Sequence, residues 1–88
     1  MKLKYEFAVR SVVGEYVLVP LGEGALAFSG MLTTSSVGAF LADAMKTDVT
    51  REALLARLTE EYDVDEQTAQ ADLEEFLTQL KELDLLEL

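Results

Sequence analysis

The last third of the chain, EEYDVDEQTAQADLEEFLTQLKELDLLEL from Glu60 to Leu88, limits the possible folds more than any other stretch. Val64, Ala69, Leu73, the neighbours Phe76 and Leu77, Leu80 and Leu83 recur at the spacing of an amphipathic helix about five turns long. Asp65 suits the N-cap, where its carboxylate can accept a bond from a first-turn amide. Val64 and Ala69 stand at the positions of a hydrophobic staple, and Glu66 suits the positive end of the helix dipole. Such a helix has to bury its stripe, so the rest of the chain is expected to pack against it.

Charge sets the same stretch apart. From Leu58 to Leu88 there are eleven Asp and Glu against one base, Lys81; from Met1 to Arg57 there are six of each, so the net charge of −10 lies on the last 31 residues. A solvated helix face accounts for this most simply; a surface that attracts a basic partner is the sharper reading. Nucleic acid is disfavoured either way, because a phosphate backbone would be repelled.

The 88 residues, half of them hydrophobic, fit one domain, residues 1–88, that buries roughly 60–65% of its unfolded surface. The absence of Cys and His removes a thiol nucleophile, sulfur ligands, the usual general base and the commonest metal ligand. The basic start MKLKYEFAVR is interrupted by Lys4, Glu6 and Arg10, so neither a signal peptide nor a membrane span is expected. The default location is the cytoplasm.

Residues 4–10 alternate, with Tyr5, Phe7 and Val9 on one face of a half-buried strand that Val12 and Val13 can extend. Gly14-Glu15 reads as a type II′ turn, Glu15 to Pro20 as a second strand, and Leu21 to Gly24 as another turn. Ala25 to Ser29 reads as a third strand, completing an antiparallel meander. Its outer edge would lack charge and proline, the usual protections, and so offers a place where a further strand can add. Thr33-Thr34-Ser35-Ser36 then leads into a helix from about Ser35 to Lys46, carried by Val37, Phe40, Leu41, Ala44 and Met45. Gly38 costs that helix about 1 kcal/mol relative to Ala, which a close helix–sheet approach would explain. Thr50 caps the next helix, with Val49 and Leu54 as its staple. The end, Leu83 to Leu88, can fray or form a short extended tail. Three strands followed by three helices predict an α+β domain of winged helix-turn-helix-like order, with the helices over one face of the sheet.

No catalytic, cofactor or metal site is expected. Gly22 and Gly24 precede no helix as a phosphate loop would. Asp63, Asp65, Gln67 and Glu74 imitate a calcium loop, but Thr68 stands where that loop needs glycine.

The succession EYVLVP, ALAFSGML, VGAFLADAM and EEYDVDEQTAQADLEEFLTQLKELDLL resembles the PqqD-like family over about residues 8–87. The chain departs from it at Leu32-Thr33-Thr34-Ser35, where many members carry Leu-Asn-x-Thr. The resemblance implies a non-catalytic chaperone without cofactor. It would bind the leader of a ribosomally made precursor peptide and present it to a modifying enzyme, often a radical SAM protein. In such proteins the leader adds as a strand to the third strand and enters a cleft beside the third helix. Carried onto this chain, that implies peptide contacts at Ala25, Leu26, Ala27, Phe28 and Ser29 on the strand, and at Ala69, Asp72, Leu73 and Phe76 on the helix, with acids there pairing with Lys or Arg of the leader. Leu26, Phe28, Leu73 and Phe76 are residue types more often found in a core than at a contact; Ala27 and Asp72 are less easily explained as core. The alternatives are a winged-helix DNA-binding regulator, which the single Lys of the last helix disfavours, and an adaptor that docks only on an enzyme. An open edge also permits a strand-paired dimer in place of a monomer.

Overall fold

The computed structural model describes residues 1–27 and 30–87. Its elements are β1 (Lys2–Leu3), β2 (Phe7–Val12), β3 (Glu15–Pro20), α1 (Glu23–Ala27), β4 (Leu32–Thr34), α2 (Ser36–Ala44), α3 (Arg51–Glu61), α4 (Glu66–Glu82) and β5 (Leu86–Glu87). The architecture is α+β: β2, β3 and β4 form a three-stranded antiparallel sheet in that order, and β1 pairs with β5 in a separate two-stranded ribbon.

The β2–β3 hairpin turns on Val13-Gly14, with Val12 opposite Glu15. Both turn residues have positive φ, 31° at Val13 and 79° at Gly14. That is the signature of a type I′ turn, which matches the right-handed twist of the flanking strands. The glycine therefore sits second in the turn, not first in a type II′ turn over Gly14-Glu15, and a β-branched residue occupies the position that asparagine would fill with least strain.

The larger departure concerns the third strand. Ala25, Leu26 and Ala27 lie in the short helix α1, while Phe28 and Ser29 lie outside the described residues. The third strand of the sheet is instead Leu32–Thr34, registered with Leu18 opposite Leu32 and Tyr16 opposite Thr34. Alanine and leucine favour helix over strand, and Gly24 lets α1 sit close. A Cβ at Gly24 would come 2.7 Å from Tyr5 Cβ and 3.4 Å from Pro20 Cβ.

The three main helices begin as their caps dictate. Ser35 accepts from the Gly38 amide at 3.2 Å, Thr50 from Ala53 at 3.1 Å, and Asp65 from Thr68 at 2.7 Å. The last bond, with Asp65 fully exposed, holds its carboxyl below the usual aspartate range, because the amide donor stabilises the ionised form. One core joins all layers: Leu18 and Leu32 from the sheet, Leu41 and Met45 from α2, Leu54 and Leu58 from α3, and Ala69, Leu73, Phe76, Leu77 and Leu80 from α4. Phe40 and Tyr62 meet edge to face with centroids 5.7 Å apart, within the favourable range for aromatic pairs. Tyr62 also donates to the Ser36 carbonyl at 3.3 Å. An ion pair between Arg51 and Glu74 ties α3 to α4.

The extended tail is a strand. Leu86 and Glu87 stand opposite Leu3 and Lys2, and Leu85 beside them is buried. The Leu3 amide donates to the Met45 carbonyl at 3.0 Å, at the C-terminal end of α2. The ammonium of Met1 bonds Asp48 Oδ1 at 2.6 Å and the Val49 carbonyl at 2.8 Å.

Candidate functional site

The position of β4 follows from hydrogen-bond parity. In an antiparallel pair, opposite residues alternate between exchanging both main-chain bonds and exchanging none. The Leu21 amide donates to the Glu6 carbonyl at 2.9 Å, which fixes 6–21 as a bonded pair. Counting inward, 8–19, 10–17 and 12–15 are bonded, and 7–20, 9–18 and 11–16 are not. Tyr16, Leu18 and Pro20 thus turn their main-chain groups away from β2 and toward β4, and Pro20 has no donor to waste there. Leu32 and Thr34 answer Leu18 and Tyr16. The amide and carbonyl of Thr33 therefore point outward, along the rim of the sheet. Among the described residues no strand pairs with that rim and no backbone group bonds Thr33.

Beside this rim lies a cleft of about 530 Å³. Its near wall comes from Thr33, Thr34, Ser35, Val37 and Gly38, where β4 runs directly into the cap and first turn of α2. Its far wall comes from Asp72, Glu75, Phe76 and Gln79. These four stand at i, i+3, i+4 and i+7 on α4, so one face of that helix lines the cleft. Phe76 is 4% exposed and forms the floor, whereas Glu75 is exposed and Asp72 and Gln79 are half-buried at the rim. Gly38 makes the closeness possible. A Cβ there would run into Thr34 Oγ1 and stand 3.0 Å from Thr34 Cβ and 3.3 Å from Phe76 Cδ1. The sheet and helix approach as the buried glycine suggested.

Of the residues singled out from the sequence, Asp72 and Phe76 are brought together in this cleft. Ala69 and Leu73 have no exposed surface and belong to the core beneath it. Ala25, Leu26 and Ala27 are exposed on α1, off the sheet edge. Thr33, Thr34, Ser35, Val37 and Gly38 were read only as strand-to-helix junction and helix residues, and Glu75 and Gln79 were not singled out. Their signal was the i, i+3 and i+7 relation of Glu75 and Gln79 to Asp72, and the β preference of Leu-Thr-Thr. Among the described residues, neither Asp72 nor Glu75 pairs with a Lys or Arg: Lys2, Lys4, Lys46 and Arg51 pair with Glu87, Asp84, Asp43 and Glu74. The site is an extended slot with a bare main-chain edge on one side, an aromatic floor and a carboxylate rim. That set of groups can hold a polymer in strand form.

Residues 15–86 match the family model described as Coenzyme PQQ synthesis protein D (PqqD). The chain belongs to the PqqD family. The match spans β3 through β5 and so includes both walls of the cleft. The structure is also similar to the solved structure of TbiB1 in complex with the TbiA(beta) leader peptide, with a TM-score of 0.70 and 26% identity over 99% of this chain and 95% of TbiB1. No curated protein matches the chain. Membership in the PqqD family agrees with the α+β order of the molecule and with the resemblance seen in its sequence.

Proposed function

We propose that this PqqD-family protein is a non-catalytic peptide chaperone. It binds the leader of a ribosomally made precursor peptide and presents it to a modifying enzyme, a radical SAM protein or another, in coenzyme PQQ synthesis or a related peptide-modification route in the cytoplasm. Residues 1–88 act as one unit in this role. The observation that carries the reading is the β4 edge, unpaired among the described residues, beside the α4 cleft, in a fold shared with a leader-bound relative. A leader would add as a fourth strand against Thr33. Main-chain bonds would supply affinity, and alternate side chains entering the cleft over Phe76 would supply selectivity. Ala69 and Leu73 support this floor from within the core, and the peptide-contacting set becomes Thr33, Ser35, Val37, Gly38, Asp72, Glu75, Phe76 and Gln79.

Titration of leader peptides, that of TbiA(beta) and those of any precursor found encoded beside the gene, into 15N-labelled protein tests the reading. Amide shifts concentrated at residues 31–38 and 72–79 are expected. Shifts confined to α3 and the β1–β5 ribbon, or an enzyme pull-down that needs no peptide, would favour an adaptor that touches only its enzyme.

A further inference from the structure

Resting on the leader-binding reading, we propose that the cleft selects a segment in which a Lys or Arg stands two residues from an aliphatic or aromatic residue, with both side chains turned toward α4. An added strand directs every second side chain to the same face, about 6.7 Å apart. On α4, Phe76 and Asp72 are four residues apart, a rise of about 6 Å. The two spacings are commensurate. An apolar side chain seated on Phe76 in the cleft places its i+2 or i−2 neighbour at the Asp72 level. Glu75 lies three residues from Asp72 on the same helical face, so the two carboxylates sit close enough to share one cation.

Location distinguishes these acids from the others on α4. Glu74 is engaged by Arg51, and Glu66 and Glu82 lie at the helix ends. Asp72 and Glu75 alone among the helix's acids border the cleft, and no base of the described chain pairs with either. A Lys or Arg fits because its aliphatic stem can lie along the apolar floor while the charged end reaches the wet rim. The net charge of −10 further favours encounter with a basic segment and disfavours an acidic one.

Selection of a random twelve-residue phage-displayed library on the immobilised protein tests this, followed by fluorescence anisotropy on the recovered peptides. The expected result is enrichment of Lys or Arg two positions from an apolar residue. The Asp72→Asn and Glu75→Gln changes should each weaken such a peptide by about 1.4- to 5-fold at moderate salt, the range for exposed ion pairs. The double change Asp72→Lys with Glu75→Lys should prefer the same peptide carrying Glu in place of its base. Peptides that are retained and shift β4 resonances, but show no basic excess and bind the Asn/Gln variants unchanged, would overturn this inference and leave the chaperone reading intact. Retention of no peptide would overturn both.

Discussion

Replacing Thr33 and Thr34 in turn by proline tests the direction in which the sheet edge faces. If the parity deduced from the Leu21–Glu6 bond holds, the Thr33 amide bonds nothing in the described chain and the Thr34 amide bonds Tyr16. Thr33→Pro then removes a donor that only an added strand uses. The loss of one main-chain bond is about 0.5–1.5 kcal/mol, and leaving the peptide carbonyl without a partner raises the cost to about 1–3 kcal/mol. Dissociation constants should rise about 5- to 150-fold. Stability should change little. Proline is tolerated on an edge whose N–H faces solvent, and the smaller entropy of its unfolded chain, about 0.4–1 kcal/mol, offsets the lost β preference of threonine. The thermal midpoint should stay within about 8 °C of the parent, since 1 kcal/mol corresponds to about 4–8 °C in a domain this small. Thr34→Pro breaks a ladder bond and orphans the Tyr16 carbonyl, about 2–4 kcal/mol together, so its midpoint should fall by more than about 10 °C. Circular dichroism melts and anisotropy with a labelled leader give both readings. A stable Thr33→Pro protein that binds normally would refute strand addition at this edge. A Thr33→Pro protein that unfolds while Thr34→Pro survives would show that the parity is reversed.

Two further outcomes follow from the geometry. Gly38→Ala gains about 1 kcal/mol of helix preference but forces Thr34 or Phe76 aside, an overpacking cost of about 1–3 kcal/mol. Urea unfolding should show a net loss of up to about 2 kcal/mol, and peptide binding should weaken, because the Thr34 and Phe76 side chains that must move line the cleft. The caps predict an acid limb. Asp65 and Asp48 are held below the ordinary aspartate range, by the Thr68 amide and by the Met1 ammonium respectively. A depressed folded value means that their stabilisation is present above the unfolded value, about pH 3.9, and is lost as pH falls through the folded one. The difference in thermal midpoint between the parent and Asp65→Ala should therefore be constant from pH 7 to about 5 and shrink below about 4; a gap that persists at pH 2.5 would contradict the assignment of Asp65 as a charged cap.

What the sequence disclosed and what it hid can be traced to the range of the interactions involved. Thr50 and Asp65 cap the helices they were expected to cap, and Ser35, one of the run Thr33-Thr34-Ser35-Ser36, caps α2, because a cap involves residues only three apart. The stripe of α4 was plain for the same reason, over many turns. Ala25 to Ala27 misled because a segment so short has no period, and alternation of leucine with alanine fits a strand as well as one helical turn. Leu32–Thr34 was obscured because its threonines sit beside a genuine cap, so one run of hydroxyl residues serves as strand and helix start in succession. The stripe of α4 could not tell its core side from its cleft side: Ala69 and Leu73 look as available as Phe76 until Gly38 and Thr34 are placed over the last. The pairing of Lys2–Leu3 with Leu86–Glu87 has no local signal at all, since two-residue strands acquire their register only from the body already formed between them.

That ribbon also determines where cargo could be attached. Head and tail of the molecule emerge side by side near Met45, whereas the slot opens by Gly38, at the other tip of α2. Gly38 and Met45 are seven residues apart along that helix, which separates the two places by about 10 Å. An enzyme or reporter tethered through the tail would thus hang from the far tip of α2, away from the cleft.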